Sequence, residues 1–476
     1  MAVNGEASVA RRTRALPQFT VDSIRLPRDD GDLENVEQQG VPHLRHFLDH
    51  IAHLQSGKDE RYGRRYQLET VQRGSLLLPS PYTGEVVSAT RSFLVSGKIF
   101  YWFSGAPDFY VASSRISRGY PLAALVLPAE HRMLRWEPLG SRGLDLRHLD
   151  KLIDQRSGEA PLEFDGSSRV MVVMGNRNFA HHLWNELSAL DRLVSKYGQG
   201  HLSDIFINRE PLGDVERMFP EIAGLKIHRA RGASMPDGLY VNLGSYCISK
   251  SMRGRLLKHA RREASSEVNA LISRIKAIGG PVFWLSVRMQ NPTLENQREV
   301  MVAICRRLLN LNVRCSILMD GFSLPEDWST AGDTIAESYR ASADTSRAEI
   351  DAIVEEVSRT SPWSRQLVVN IGGIRLLDTI ALAELADAYF CHGGSVQHKI
   401  GWTANKPGII HGPRKLMSKD PISWHSDRLE GAVPPLPLPI QMIQDVESDL
   451  REKNYRVKSG AVAQFVANYF SYHVRH

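Results

Sequence analysis

Residues 170–187 read VMVVMGNRNFAHHLWNEL, and this pattern decides the fold class. Val170–Met174 is an unbroken apolar run, as expected of a strand covered on both faces, and Gly175 stops it. Phe179, Leu183, Leu187, Leu190 and Val194 then recur at steps of 4, 4, 3 and 4, the stripe of an amphipathic helix. Strand, glycine and helix open a βαβ unit, which makes the sheet parallel.

The same alternation continues downstream. Ile205–Ile207 and Leu239–Leu243 read as strands, and about 250–277 as helix. A second series opens at Pro281. Val282–Val287, Val313–Met319, Gln366–Asn370, Ala388–Cys391 and Gly408–His411 are strands. Helices over Leu294–Leu309, Arg347–Ser358 and Leu376–Ala386, and one from Ser395, separate them. Two series joined near 278–281 predict an α/β protein with two Rossmann-like domains, 161–279 and 280–432, facing each other. Pro434–Pro439 ends the second. Helices near 441–453 and 459–472 finish the chain (433–476), with the first domain as a surface to pack on.

Upstream, residues 1–40 are polar and irregular, a mobile leader by composition. The segment 41–160 reads as a helix, Val41–Gln55, followed by a β-rich accessory region. Val86–Ser88, Phe93–Val95, Ile99–Phe103 and Phe109–Ala112 are its strands, and a connector lies around 145–156. On the first helix His43, His46, His50 and His53 share one face beside Leu44, Phe47, Leu48 and Ile51, the mark of an ordinary amphipathic helix rather than a metal site.

At 476 residues the chain has room for about three domains. Hydrophobic residues make up 42% and charged residues 24%, which excludes disordered, collagen-like and disulfide-stapled classes. The net charge of +6 admits anionic substrates or an anionic membrane surface but is too diffuse for nucleic acid. Cys247, Cys305, Cys315 and Cys391 form no C-x-x-C pair and sit in apolar segments, as buried free thiols do. No apolar run reaches membrane-spanning length, and the first 20 residues lack an apolar signal core. These features favour a reducing, cytoplasmic compartment.

Five stretches carry residues suited to chemistry, and a basic run adds a candidate contact face. Asn178, His181, His182, Asn185 and Glu186 follow the strand that ends at Met174, where open α/β sheets bind ligands. A helical wheel sets His181 about 160° from the apolar stripe, free to face a cleft. His182 lies near the stripe edge, on the same side as Glu186 one turn later. An imidazole can take a hydroxyl proton near neutral pH, and a carboxylate one turn away can orient or charge-stabilise it. His392, Gly393, Gly394, Ser395 and His398 lie where a strand runs through glycines into a helix, a turn that lets phosphate approach backbone N–H groups. Arg288, after Ser286-Val287 at a strand end, can clamp a diphosphate, with Asn296 a little further on. Gly372, Gly373 and Arg375, and the loop Asp320-Gly321-Phe322-Ser323, are candidates to hold a base and ribose. The basic run Lys250, Arg253, Arg255, Lys258, Arg261, Arg262 offers a face to an anionic lipid or lipid-linked acceptor. No D-x-D follows a strand, which removes the usual means of holding a sugar diphosphate through a metal.

Asn178-Phe-Ala-His181 with Asn185-Glu186-Leu187 resembles the helix signature of family 61 glycosyltransferases, the xylosyl- and N-acetylglucosaminyl-transferase group. His392-Gly393-Gly394-Ser395-Val-Gln-His398 is similar to that family's His-Gly-Ala-Gly-Leu-Thr-His/Asn stretch, and Ser286-Val287-Arg288 with Asn296 to its Ser-Arg … Asn element. The sequence departs from the pattern at Val287, Gly394 and Ser395. The resemblance spans roughly 165–420 and implies a GT-B fold, two Rossmann-like domains around a cleft. It implies metal-independent, inverting transfer from a nucleotide-sugar, a co-substrate rather than a bound cofactor, to a glycan or lipid-linked acceptor. On that reading His181 is the base, with Glu186 its orienter or alternative. Arg288 and the N–H groups after His392 stabilise the leaving diphosphate, Gly372, Gly373 and Arg375 flank the nucleotide, and His398 supports the donor. The competing readings are a catalytically silent protein of the same fold that binds a glycan or nucleotide, and a nucleotide-sugar epimerase or dehydrogenase, the latter disfavoured by the missing G-x-G-x-x-G.

Overall fold

The computed structural model describes residues 19–24, 26, 40–95, 97–114, 116–136, 169–229, 237–290, 292–311, 314–418, 425–446 and 454–475. The connector expected at 145–156, and most of the leader, lie outside these residues. Thr20–Ser23 (β1) lies within the expected leader but is a strand, paired in parallel with Arg132–Arg135.

The accessory region holds two helices, Leu44–Leu54 (α1) and Arg65–Arg73 (α2), and a hairpin of Leu76–Pro79 (β2) with Val86–Ala89 (β3). Its main sheet, separate from that hairpin, is built from β1 with Arg91–Val95 (β4), Lys98–Phe103 (β5), Phe109–Ser113 (β6), Leu122–Leu127 (β7) and Arg132–Arg135 (β8), in the order β1-β8-β7-β6-β5-β4. One face of this sheet, including Tyr101, Phe103, Val111 and Leu125, shares a hydrophobic core with the first Rossmann-like unit.

That unit is a parallel sheet of Val170–Met174 (β9), Leu202–Ile207 (β10), Lys226–His228 (β11) and Leu239–Asn242 (β12), ordered β11-β10-β9-β12. A helix over 179–197 (α3) follows β9 and opens into a π-helical turn at His182–Leu187. Gly175 is obligatory in the turn between them. Its φ is +111°, and a Cβ there would sit 2.5 Å from the Asn208 and Arg209 nitrogens. The helical stretch expected over 250–277 is two helices, Lys250–Glu263 (α4) and Ser266–Ile278 (α5). They are separated at Ser265, whose hydroxyl caps α5 by accepting from the Val268 N–H.

The second unit is a six-stranded parallel sheet of Val282–Ser286 (β13), Ser316–Asp320 (β14), Val368–Asn370 (β15), Ala388–His392 (β16), Gly408–His411 (β17) and Leu436–Pro437 (β18). Its order, β15-β14-β13-β16-β17-β18, is 3-2-1-4-5-6 in chain order, the Rossmann arrangement. Helices Gln297–Leu311 (α6), Asp333–Thr360 (α7), Leu376–Ala383 (α8) and Ser395–Gly401 (α9) form its crossovers. With the first sheet ordered 3-2-1-4, the chain is α/β with two Rossmann-like units facing a cleft, plus the β-rich segment: a GT-B-like fold.

Two expectations for the end of the chain are corrected. Residues 443–445 form a strand (Ile443–Asp445, β19) paired with Tyr455–Val457 (β20), where a helix was expected to begin. The final helix, Ser459–Arg475 (α10), packs on α6 of the second unit, with Phe470 stacked 4.9 Å from Phe283, and not on the first domain. The two units are nonetheless joined. Leu376, Leu377, Ile380 and Ala381 of α8, with Trp402 and Leu429, are buried in the core of the first unit. Ile248 and Leu429 make a parallel β-bridge across the junction.

Candidate active site

In each sheet the strand order reverses beside its first strand, β9 or β13, and the carboxyl ends there form a crevice. Between them lies a cleft of about 820 Å³, within the size range of small-molecule sites. A smaller cavity of about 350 Å³ sits between α1, α2 and β2, away from the parallel strand ends.

Among the described residues the cleft is lined by three cations, Arg177, Arg288 and Lys399, and by no carboxylate. Asn178 and Phe179 bring it to the start of α3, where the Asn178 side chain caps the helix by accepting from the Ala180 N–H at 2.9 Å. His181 follows one turn on and does not itself line this cleft; it is half-buried, its ring against Trp184 with centroids 5.4 Å apart. Its Nδ1 lies 2.9 Å from Asn185 Oδ1. The Asn185 amide is oriented from its other end, because Nδ2 donates to the Ser245 carbonyl at 2.6 Å. Oδ1 therefore faces the imidazole and can only accept, so Nδ1 carries a proton, and in the neutral ring the lone pair is on Nε2. The residue that orients His181 is Asn185, fully buried and turned away from the cleft.

Glu186 serves the other histidine. Its Oε2 accepts from the Gly175 and Asn176 N–H groups, both at 2.9 Å, and faces His182 Nδ1 at 2.8 Å. Oε1 accepts from the Tyr120 hydroxyl at 3.3 Å. His182 and Glu186 are both buried. Glu186 thus ties the β9–α3 turn to its helix and makes no contact with His181, so the pairing of His181 with a carboxylate is corrected to an amide. An amide supplies orientation without charge.

On the opposite wall Arg288 follows β13. Its backbone N–H donates to Gln297 at 2.7 Å, and Nε donates to the Gln290 carbonyl at 2.9 Å. Nη1 lies 3.2 Å from His392 Nδ1, which also meets the Gly393 carbonyl at 2.6 Å. Burial, and then the Arg288 guanidinium, push His392 down to about 3, so it is a neutral ring beside the arginine, its Nδ1–H donating to the Gly393 carbonyl. Gly394 has φ +124° and would bring a Cβ within 3.4 Å of Arg288 Nη1, which keeps this corner open. Ser395 is exposed at the cleft, whereas His398 is turned to the junction and stacks on Trp402 with centroids 3.5 Å apart.

Four candidates lie elsewhere. Asn296 donates to the Val457 carbonyl at 2.8 Å and accepts its N–H at 3.2 Å, fastening β20. A Cβ on Gly372 would meet Ile350 at 2.6 Å, and the Gly373 carbonyl accepts from Arg347. Arg375 joins Glu326 at 3.2 Å and the Glu263 carbonyl at 2.9 Å, a link between the units. The basic run of α4 is largely spent as well, with Arg255 on Asp191 and Glu221, Arg261 on Glu384 and Arg262 on Glu263.

The sequence reading missed Lys399 and the junction. Lys399 is buried, its Nζ donating to Asp320 Oδ1 at 2.7 Å, the Gly321 carbonyl at 2.5 Å and Ser323 Oγ at 3.0 Å. Burial pushes the Asp320 carboxyl up, against the pull of this ammonium. The i,i+4 spacing of Ser395 and Lys399 was the available signal, since it puts both on one face of α9. At the junction the Arg428 guanidinium lies 3.7 Å from the centre of the Trp184 ring, and Trp184 meets Trp402 edge-on at 5.8 Å. Nothing in the local sequence signals that meeting.

No family model and no curated protein matches this chain, so the likeness to family 61 rests on its short motifs. Solved structures similar to it include α,α-trehalose 6-phosphate synthase from Burkholderia multivorans, at 11% identity, TM-score 0.26, covering 59% of this chain and 70% of that one. The UDP-GlcNAc 2-epimerase of Methanocaldococcus jannaschii is similar at 12% identity and TM-score 0.27, over 69% and 80% of the two chains. A second structure of that epimerase, in complex with UDP-GlcNAc and UDP, gives 10% identity and TM-score 0.23, over 69% and 79%. At such scores the fold assignment rests on strand order alone.

Proposed function

We propose that this protein is a glycosyltransferase that moves a sugar from a nucleotide-sugar to a hydroxyl of a glycan or lipid-linked acceptor, with inversion and without a metal. The observation that carries the reading is the lining of the cleft, Arg177 and Arg288 with no carboxylate among the described lining residues and with Lys399 already paired to Asp320, at the carboxyl ends of two Rossmann-like sheets. Such a lining suits a diphosphate directly, whereas a metal-held diphosphate needs carboxylate ligands. His181 Nε2 takes the acceptor proton as the acceptor oxygen bonds to the anomeric carbon. The bond from that carbon to the diphosphate oxygen breaks, its electron pair leaving with the phosphate. Arg288 meets the charge that develops there.

The test is a thermal-shift panel with millimolar UDP, GDP, CMP and dTDP, with and without EDTA. One nucleotide should raise the melt equally in both conditions, since a ligand at a hundredfold excess over Kd adds about 2.7 kcal/mol. Sugar release from the matching nucleotide-sugar should fall about 10²- to 10⁴-fold in His181→Ala while nucleotide binding persists. A melt that no nucleotide moves would overturn the reading. Turnover unchanged in His181→Ala would remove the base assignment.

A further inference from the structure

The front of α7 has no core beneath it. Buried side chains on this 28-residue helix begin at Ala343 and continue through Ser346, Ile350, Ile353 and Val357. The ten residues before Ala343, about 15 Å of helix, stand at the cleft, which Ile335, Ser338, Tyr339 and Ser342 line. Phe322, from the loop after β14, faces Tyr339 with ring centroids 5.9 Å apart and a 30° tilt. A flat ring inserted between them would need about 7 Å, two contacts of ~3.5 Å, so the pair forms one continuous wall rather than a slot. The wall is braced on both sides. The Phe322 N–H donates to Ser346 Oγ at 3.1 Å, and Arg209, ion-paired with Asp327, lies 5.9 Å from the Tyr339 ring centre.

This aromatic wall and Arg288 line the same cleft. Arg288 follows β13, beside His392 at the end of its parallel neighbour β16, and Phe322 follows β14 on the other side of β13. We infer that the Phe322–Tyr339 wall, with the Ser338 and Ser342 hydroxyls, is the platform for the base of a nucleoside diphosphate whose phosphates meet Arg288. The inference rests on the nucleotide-sugar reading above and adds a direction to it: base over β14 beneath α7, diphosphate over β13, sugar toward α3 and His181.

The experiment is titration calorimetry of the full chain with UDP, GDP, CDP and dTDP, and with inorganic pyrophosphate as the base-free probe. Tyr339→Ala should weaken the best nucleoside diphosphate about tenfold or more, the scale of one base–aromatic stack, and leave pyrophosphate unchanged. Ser342→Phe, which fills the space beside the ring, should act in the same way. Arg288→Ala should weaken both probes. Equal loss for nucleotide and pyrophosphate in Tyr339→Ala, or no loss for either, would overturn the inference while leaving the transferase reading in place. Failure of every nucleotide and of pyrophosphate to bind the wild-type chain would overturn both.

Discussion

A single proton separates a base from a bystander at His181. The Asn185 amide, fixed by the Ser245 carbonyl, accepts from the Nδ1–H, so in the neutral ring the lone pair is on Nε2. Asn185→Ala should therefore cost activity through the wrong ring orientation, and about 1–3 kcal/mol of stability through the Ser245 carbonyl left unpaired. Steady-state rates and urea unfolding on the same preparation check the two losses; a variant with normal turnover would show that orientation is not limiting. A second residue carries its own pH signature. Glu60 is buried, its Oε1 accepting from the Arg65 N–H at 3.0 Å, and burial pushes its carboxyl up to about 7. A carboxyl whose pKa is higher in the folded than in the unfolded state binds more protons when folded. Its contribution is thus intact below about 4.5 and is lost as pH rises toward 7. Glu60→Gln should be close to neutral at pH 4.5 and stabilising at pH 8, on the order of 2 kcal/mol. Melting curves at the two pH values decide it, and equal shifts would refute the assignment.

Elements meet at this site through side chains that sequence patterns do not connect. Lys399 clamps α9 to the end of β14 by way of Asp320. Lys399→Met should cost about 3–5 kcal/mol, because it strands a buried carboxylate, and adding Asp320→Asn should recover most of that. A single variant that costs less than 1 kcal/mol in urea unfolding would show the pair to be dispensable. The break between α4 and α5 rests on the Ser265 cap, and Ser265→Ala should cost about 1 kcal/mol by the same assay. Which elements were legible follows from how they are buried. β9 and β13 are covered on both faces and read as apolar runs. β11 and β18 are short edge strands, Lys-Ile-His and Leu-Pro, with no period to detect. The helix expected over Arg347–Ser358 begins fourteen residues earlier because its front has no apolar stripe. The site was legible to the same degree. Gly175, Arg288 and Gly394 punctuate strand ends, so their neighbourhood could be read. The pairing of Glu186 with His182 follows the i,i+4 spacing that a helical wheel shows, whereas the amide orientation that Asn185 offers His181 depends on Ser245, sixty residues away in sequence.

For the whole molecule, the decisive fact is that the second unit lends part of one helix to the core of the first. Leu377 and Ile380 are each worth about 1.5–3 kcal/mol when fully buried, so neither unit retains its full stability alone. Calorimetry of the wild-type chain should give one transition. Ile380→Asp, which places a carboxylate in that seam, should split it in two; two transitions already present in the wild type would contradict the shared core.

The front of α7 has one more property. Amide hydrogens in a helix trade with solvent deuterium whenever its bonds open, and opening is cheaper where side chains are less deeply buried. The ten residues ahead of Ala343 should then label within seconds to minutes, while those from Ile350 onward label slowly. A ligand seated against this stretch would write its own footprint as a slowed uptake there, legible by mass spectrometry with no knowledge of the reaction.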